Sequence, residues 1–136
     1  MSKFKYYIIV CITIFYFGCN LRQANTANFD ENKDQIALAD SILLYFQQEQ
    51  FDKIVTHFDD KMKQLLNKEQ LAVVWALLNT QFGKYKKSEF YGIEKINDVG
   101  DKVVYKCFFG SQKLYFQLVL GKENRVVGLF FKPQPN

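Results

Sequence analysis

Residues 102–132 read KVVYKCFFGSQKLYFQLVLGKENRVVGLFFK, and the way this stretch alternates decides the fold. Val103, Tyr105 and Cys107 alternate with Val104, Lys106 and Phe108, a period of two that belongs to strands. Gly110-Ser111 marks a two-residue turn, and type II′ is expected because Gly110 tolerates positive φ. Folding the chain about that turn pairs Cys107 with Leu114, Tyr105 with Phe116 and Val103 with Leu118. The next loop, Gly121-Lys122-Glu123-Asn124, leaves an even number of residues unpaired, so Val127, Leu129 and Phe131 are expected on the same face. All nine of these side chains are apolar or aromatic. The opposite face, with Val104, Lys106, Phe108, Lys113, Tyr115, Gln117, Val119, Val126, Gly128, Phe130 and Lys132, is mixed. A slip of one residue would exchange the two faces, so the register is firmly specified.

Working outward, residues 88–96 form a further candidate strand, joined through the five residues 97–101. That odd-length connection leaves the side taken by Glu94 open. Upstream of Gly83 the apolar period is near four. Ile36, Ala39, Ile42, Leu43 and Phe46 make one stripe on a helix over 32–49. Phe51, Ile54, Val55 and Phe58 continue the pattern for two turns, and Met62, Leu65 and Leu66 mark a third short helix. Asn67 with Gln70 three residues on predicts a capping box. Leu71, Val74, Trp75, Leu78 and Phe82 then share one face of a helix that Gly83 is placed to stop. Helices first and an antiparallel meander after them indicate an α+β fold. The helices are expected to pack on the apolar face of the four-stranded sheet. Burial of each large side chain there contributes about 1.5–3 kcal/mol.

The first nineteen residues carry a different signal. Lys3 and Lys5 precede an apolar run over residues 6–17, which ends at Gly18 and Cys19. That 12-residue run falls short of the roughly 20 that span a bilayer, and the pattern is that of an export signal. Cys19 is the expected lipidation site, since a thiol is the side chain that takes a diacylglyceryl group as a thioether. Tyr16 and Phe17 make the motif a relaxed one, and an uncleaved N-terminal helix is the rival reading. Residues 1–18 are thus expected to be a lipoprotein signal, 19–30 a polar tether and 31–136 a single domain. The protein is expected in the cell envelope, outside the cytoplasm and lipid-anchored.

Loss of Lys3 and Lys5 lowers the net charge from +4 to +2, which argues against a nucleic-acid partner. The densest basic cluster, Lys84, Lys86 and Lys87, reads as a solvated junction between helix and strand. Cys107 remains as a single cysteine in an alternating apolar run, where it behaves as a small hydrophobe. No phosphate loop, nucleophile elbow, zinc helix or paired cysteine spacing is present, so no metal and no cofactor are expected. The one histidine, His57, lies beside Asp59 and Asp60, whose simplest role is to cap the following helix.

The run FDDKMKQLLNKEQLAVVWALLNTQFGKY and the final VVGLFFKP resemble a family of uncharacterised secreted bacterial domains. The positions that carry the resemblance are Phe58, Asp59, Met62, Lys63, Leu71, Trp75, Gly83, Tyr85, Gly128, Leu129, Phe130 and Phe131. It implies a nuclear-transport-factor-like cone, found alone or N-terminal to α/β-hydrolases, and with no hydrolase attached such a companion would act in trans. Related folds include isomerases and cyclases with carboxylates inside the cone. For that chemistry the inner face here offers Tyr105 as a donor and only Glu94 as a nearby carboxylate. The expected function is a non-catalytic binding or assembly module. Phe108, Tyr115 and Phe130 are its candidate interface, toward a second copy or an envelope partner. A small apolar ligand held near Trp75, Tyr105 and Phe116 is the alternative.

Overall fold

Helix α1 (Lys33–Gln47) forms because its apolar stripe recurs at helical spacing, and Ile36, Ala39, Ile42, Leu43 and Phe46 are all buried along it. It stops where Glu49 turns into the left-handed region at φ 55°. Two short helices follow, α2 (Phe51–Val55) and α3 (Asp60–Leu65). Asp59 caps α3 by accepting a hydrogen bond from the Met62 N–H at 2.7 Å. Helix α4 (Lys68–Phe82) opens with the expected capping box, the Gln70 N–H donating to Asn67 Oδ1 at 2.8 Å and the Asn67 N–H to Gln70 Oε1 at 2.9 Å. Gly83 ends it at φ 90°. The computed structural model describes residues 32–134; Cys19 and the expected signal and tether lie outside them.

Four antiparallel strands complete an α+β fold with a curved, open sheet in the order β1-β2-β3-β4. They are β1 (Tyr85–Ile96), β2 (Gly100–Phe109), β3 (Gln112–Leu120) and β4 (Val126–Lys132). The pairs Cys107 with Leu114, Tyr105 with Phe116 and Val103 with Leu118 form as the alternation requires. Leu118 continues to Leu129 and Phe116 to Phe131. These side chains meet the helical stripes in one core, in which Phe46 and Phe116 are fully buried.

Three local details depart from the expected pattern. Five residues join Leu120 to Val126, and a bulge at Val127 restores the register, so Val126 enters the core and Val127 is only half-buried. Gly110 does not adopt a positive φ, so the turn is not type II′. Its glycine is needed for close approach: a Cβ there would lie 2.7 Å from the Phe82 carbonyl oxygen and 2.8 Å from Gly83 Cα, where α4 ends against the hairpin. Strand β1 starts three residues earlier than the alternation indicates, because the Asn79 side chain accepts from the Tyr85 N–H at 2.8 Å. Bulges between Tyr85 and Lys87 and between Phe90 and Gly92 hide its period.

Candidate functional site

On the helix-covered face, Trp75 and Phe116 belong to one aromatic cluster. The Trp75 ring lies 5.1 Å from Phe46, 5.5 Å from Tyr85 and 5.8 Å from Phe109, and Phe116 lies 5.1 Å from Phe131. Tyr105 stands toward the β1 side, its ring edge-on to Phe90 at 5.6 Å. Burial pushes its phenol far above the ordinary tyrosine range, and the carboxylate of Asp40 on α1, facing it as a hydrogen-bond acceptor, adds to the shift. Tyr85 is raised as well, chiefly by burial, against a smaller lowering by the neighbouring Ser88 hydroxyl. The Tyr85 oxygen is buried and makes no well-directed hydrogen bond. Cys107 is fully buried, and burial pushes its thiol up to about 12, so it stays protonated and inert.

The carboxylate that meets Tyr105 is therefore Asp40, which the sequence pattern does not single out, and not Glu94. Three residues, 97–99, turn the chain between Ile96 and Gly100, and this sets Glu94 opposite Lys102 on the second face. Their Oε2 and Nζ are 2.9 Å apart in an ion pair. Asp40 borders the α1 stripe, next to buried Ala39, and only the docking of helix on sheet shows what it faces.

His57 is half-buried and stacks on Tyr45 at 6.3 Å. Burial, and then the charge of Arg125, lower its pKa. Asp59, the carboxylate that would steer a histidine base, is engaged by the Met62 N–H. Among the described residues no three His, Cys, Asp or Glu side chains gather as a metal site, and no helix is long and apolar enough to cross a membrane.

The second face of the sheet carries all three interface candidates. Phe108 pairs with Lys113, Tyr115 with Lys132 and Phe130 with Gln117. Tyr115 meets the ring of Tyr91 edge-on at 5.2 Å, and Phe130 folds over Gly128, where a Cβ would come within 3.0 Å of its ring. Val104, Tyr115 and Val119 are buried yet form no part of the helix-covered core. The face divides along its length. Glu94, Lys102, Val104, Gln117 and Val119 form a sealed half, and Lys87, Lys106, Phe108, Lys113 and Lys132 an accessible one toward the Gly110-Ser111 turn.

A family model described as a protein of unknown function (DUF3887) matches residues 39–129. The chain belongs to this family. The DUF3887 match runs from within α1 into β4, so it takes in both faces of the sheet and the Asp40–Tyr105 contact. No curated protein and no solved structure matches the chain.

Proposed function

We propose that this DUF3887 protein is a membrane-tethered lipoprotein of the cell envelope whose domain is a non-catalytic binding or assembly module. The observation that carries this reading is the second sheet face, where Phe108 on β2 and Phe130 on β4 stand only half-buried and outside the helix-covered core. The export pattern ending at Cys19 supports the tether. Two acyl chains or more give stable anchoring, as a single chain does not. The resemblance to nuclear-transport-factor-like cones and to hydrolase companions agrees with a module that presents a sheet to another molecule. The test is fatty-acid labelling of the full chain in a bacterial host. The wild-type chain is expected to take the label and sediment with membranes, and Cys19→Ser to lose both. A Cys19→Ser chain that keeps its label would sink the tether. Light scattering before and after Phe130→Asp then separates self-assembly from binding of another envelope component.

The Asp40, Tyr105 and Tyr85 grouping favours a second reading, a site for a small apolar ligand at the edge of the core. A neutral phenol facing a carboxylate, with a second phenol oxygen nearby that makes no well-directed hydrogen bond, offers polar anchors beside aromatic walls. Trp75, 5.5 Å from Tyr85, reports on it. Titration of an envelope lipid extract is expected to change Trp75 emission saturably in the wild type and not in Tyr105→Phe. An unchanged wild-type spectrum counts against this reading.

A further inference from the structure

Strand register sorts lysines and aromatic rings into alternation on the accessible half of the second face. Lys87 opposes Phe108, which opposes Lys113; in the adjoining row Lys106 opposes Tyr115, which opposes Lys132. Three of these ammonium groups lie over rings. Lys87 Nζ is 5.0 Å from the Phe108 centroid, Lys106 Nζ 5.8 Å from Tyr91, and Lys132 Nζ 5.4 Å from Phe130. Lys86, Lys87 and Lys113 also line an open groove of about 610 Å³ together with Phe108. The one carboxylate in these two rows is Glu89, which contacts Lys87 at 3.2 Å. Like charges on neighbouring strands repel. Burial, and then the charge of Lys102, already lower the pKa of Lys132.

We infer that this half of the face binds a linear phosphate-bearing polyanion, laid across the four strands with phosphates at Lys87, Lys106, Lys113 and Lys132. The inference rests on the reading of the second face as the binding surface and names its partner. Crossing from β1 to β4 spans three strand gaps, about 14 Å, which is long for a single anion and suits a repeating one. Ammonium groups act as point charges on phosphate, whereas carboxylate recognition favours the guanidinium fork. The one arginine among the described residues, Arg125, instead donates to the Thr56 carbonyl at 2.9 Å. A second copy fits the strip poorly, because two-fold pairing sets the same four lysines against themselves.

The test uses the full chain in nonionic detergent and fluorescein-labelled inorganic polyphosphate, followed by anisotropy at two or more salt concentrations. Lys106→Gln with Lys113→Gln is expected to weaken binding at least about tenfold and to reduce the slope of log affinity against log salt by about 1.4, at about 0.7 for each phosphate no longer neutralised. Lys61→Gln with Lys68→Gln, the same charge change on the helical side, is expected to cost less than about twofold. Equal losses in the two double variants would reduce the effect to net charge and overturn the inference. So would the absence of wild-type binding, or polyglutamate bound as tightly as polyphosphate. A dimer that Phe130→Asp dissociates, with no polyphosphate bound, would sink this inference and leave the second face as an interface.

Discussion

Phe46→Ala is expected to destabilise the domain by about 3–5 kcal/mol, the range for a large aromatic deleted from a core that cannot collapse around the gap. Phe46 is fully buried, and four rings surround it: Trp75 at 5.1 Å, Phe131 at 5.5 Å, Phe51 at 6.2 Å and Phe116 at 6.3 Å. Those rings come from α2, α4, β3 and β4, so one side chain ties the helical layer to the sheet. Phe51, Phe116 and Phe131 meet Phe46 edge-on and Trp75 is tilted at 32°; rings held by several elements at once cannot move into the vacated volume without leaving their own neighbours. Domains of this size are stable by only about 5–15 kcal/mol, so the loss should lower the melting temperature by more than about 10 °C. Val73→Ala provides the comparison, since Val73 is exposed on α4 and its truncation should fall within about 0.5 kcal/mol of the wild type. Urea unfolding of both variants measures the difference. A cost below about 1 kcal/mol for Phe46→Ala would mean that the space between helices and sheet is loosely filled, contrary to the ring packing around it.

What is legible in the sequence follows from the range over which each feature is determined. Cys107 with Leu114 and Tyr105 with Phe116 can be paired from sequence because a two-residue turn and strict alternation are local, and only one register buries one face. The Asn67–Gln70 capping box is local in the same way. Val126 and Val127 defeat such a reading because they are identical, and alternation cannot tell which of two adjacent valines a bulge sends inward. Gly110 is recognisable as a turn glycine, but the reason it must lack a side chain is its contact with Gly83, 27 positions earlier, which no local rule contains. The side of Glu94 hangs on how many residues turn between β1 and β2. Asp40 escapes notice for a related reason. Asp40 is exposed beside the helical stripe, as its sequence position suggests, and only the docked sheet shows that it also faces the Tyr105 phenol. The lysine strip likewise emerges only in the register, because its four members come from four strands.

Lys102→Met is expected to cost about 3 kcal/mol, and the loss should be recovered when Glu94→Gln is added. The two side chains oppose each other across β1 and β2 with 10 % and 18 % of their surfaces exposed, and their charged atoms are 2.9 Å apart. Removing one member of a desolvated pair leaves the other charge without its counter-ion, and that uncompensated charge accounts for most of the loss. Replacing both with neutral side chains of similar length removes the desolvation penalty together with the attraction, so the double variant should lie within about 1 kcal/mol of the wild type. Neither single nor double variant touches the helix-covered face, where the core is built. Methionine at position 102 also removes one of the two causes that lower the Lys132 pKa, the other being burial, so the Lys132 pKa should rise. Urea unfolding of the two single variants and the double gives the coupling energy directly. A coupling under about 0.5 kcal/mol would be that of a solvated surface pair. The Glu94 and Lys102 end of the second face would then be open to water, and the division into a sealed half and an accessible half would fail.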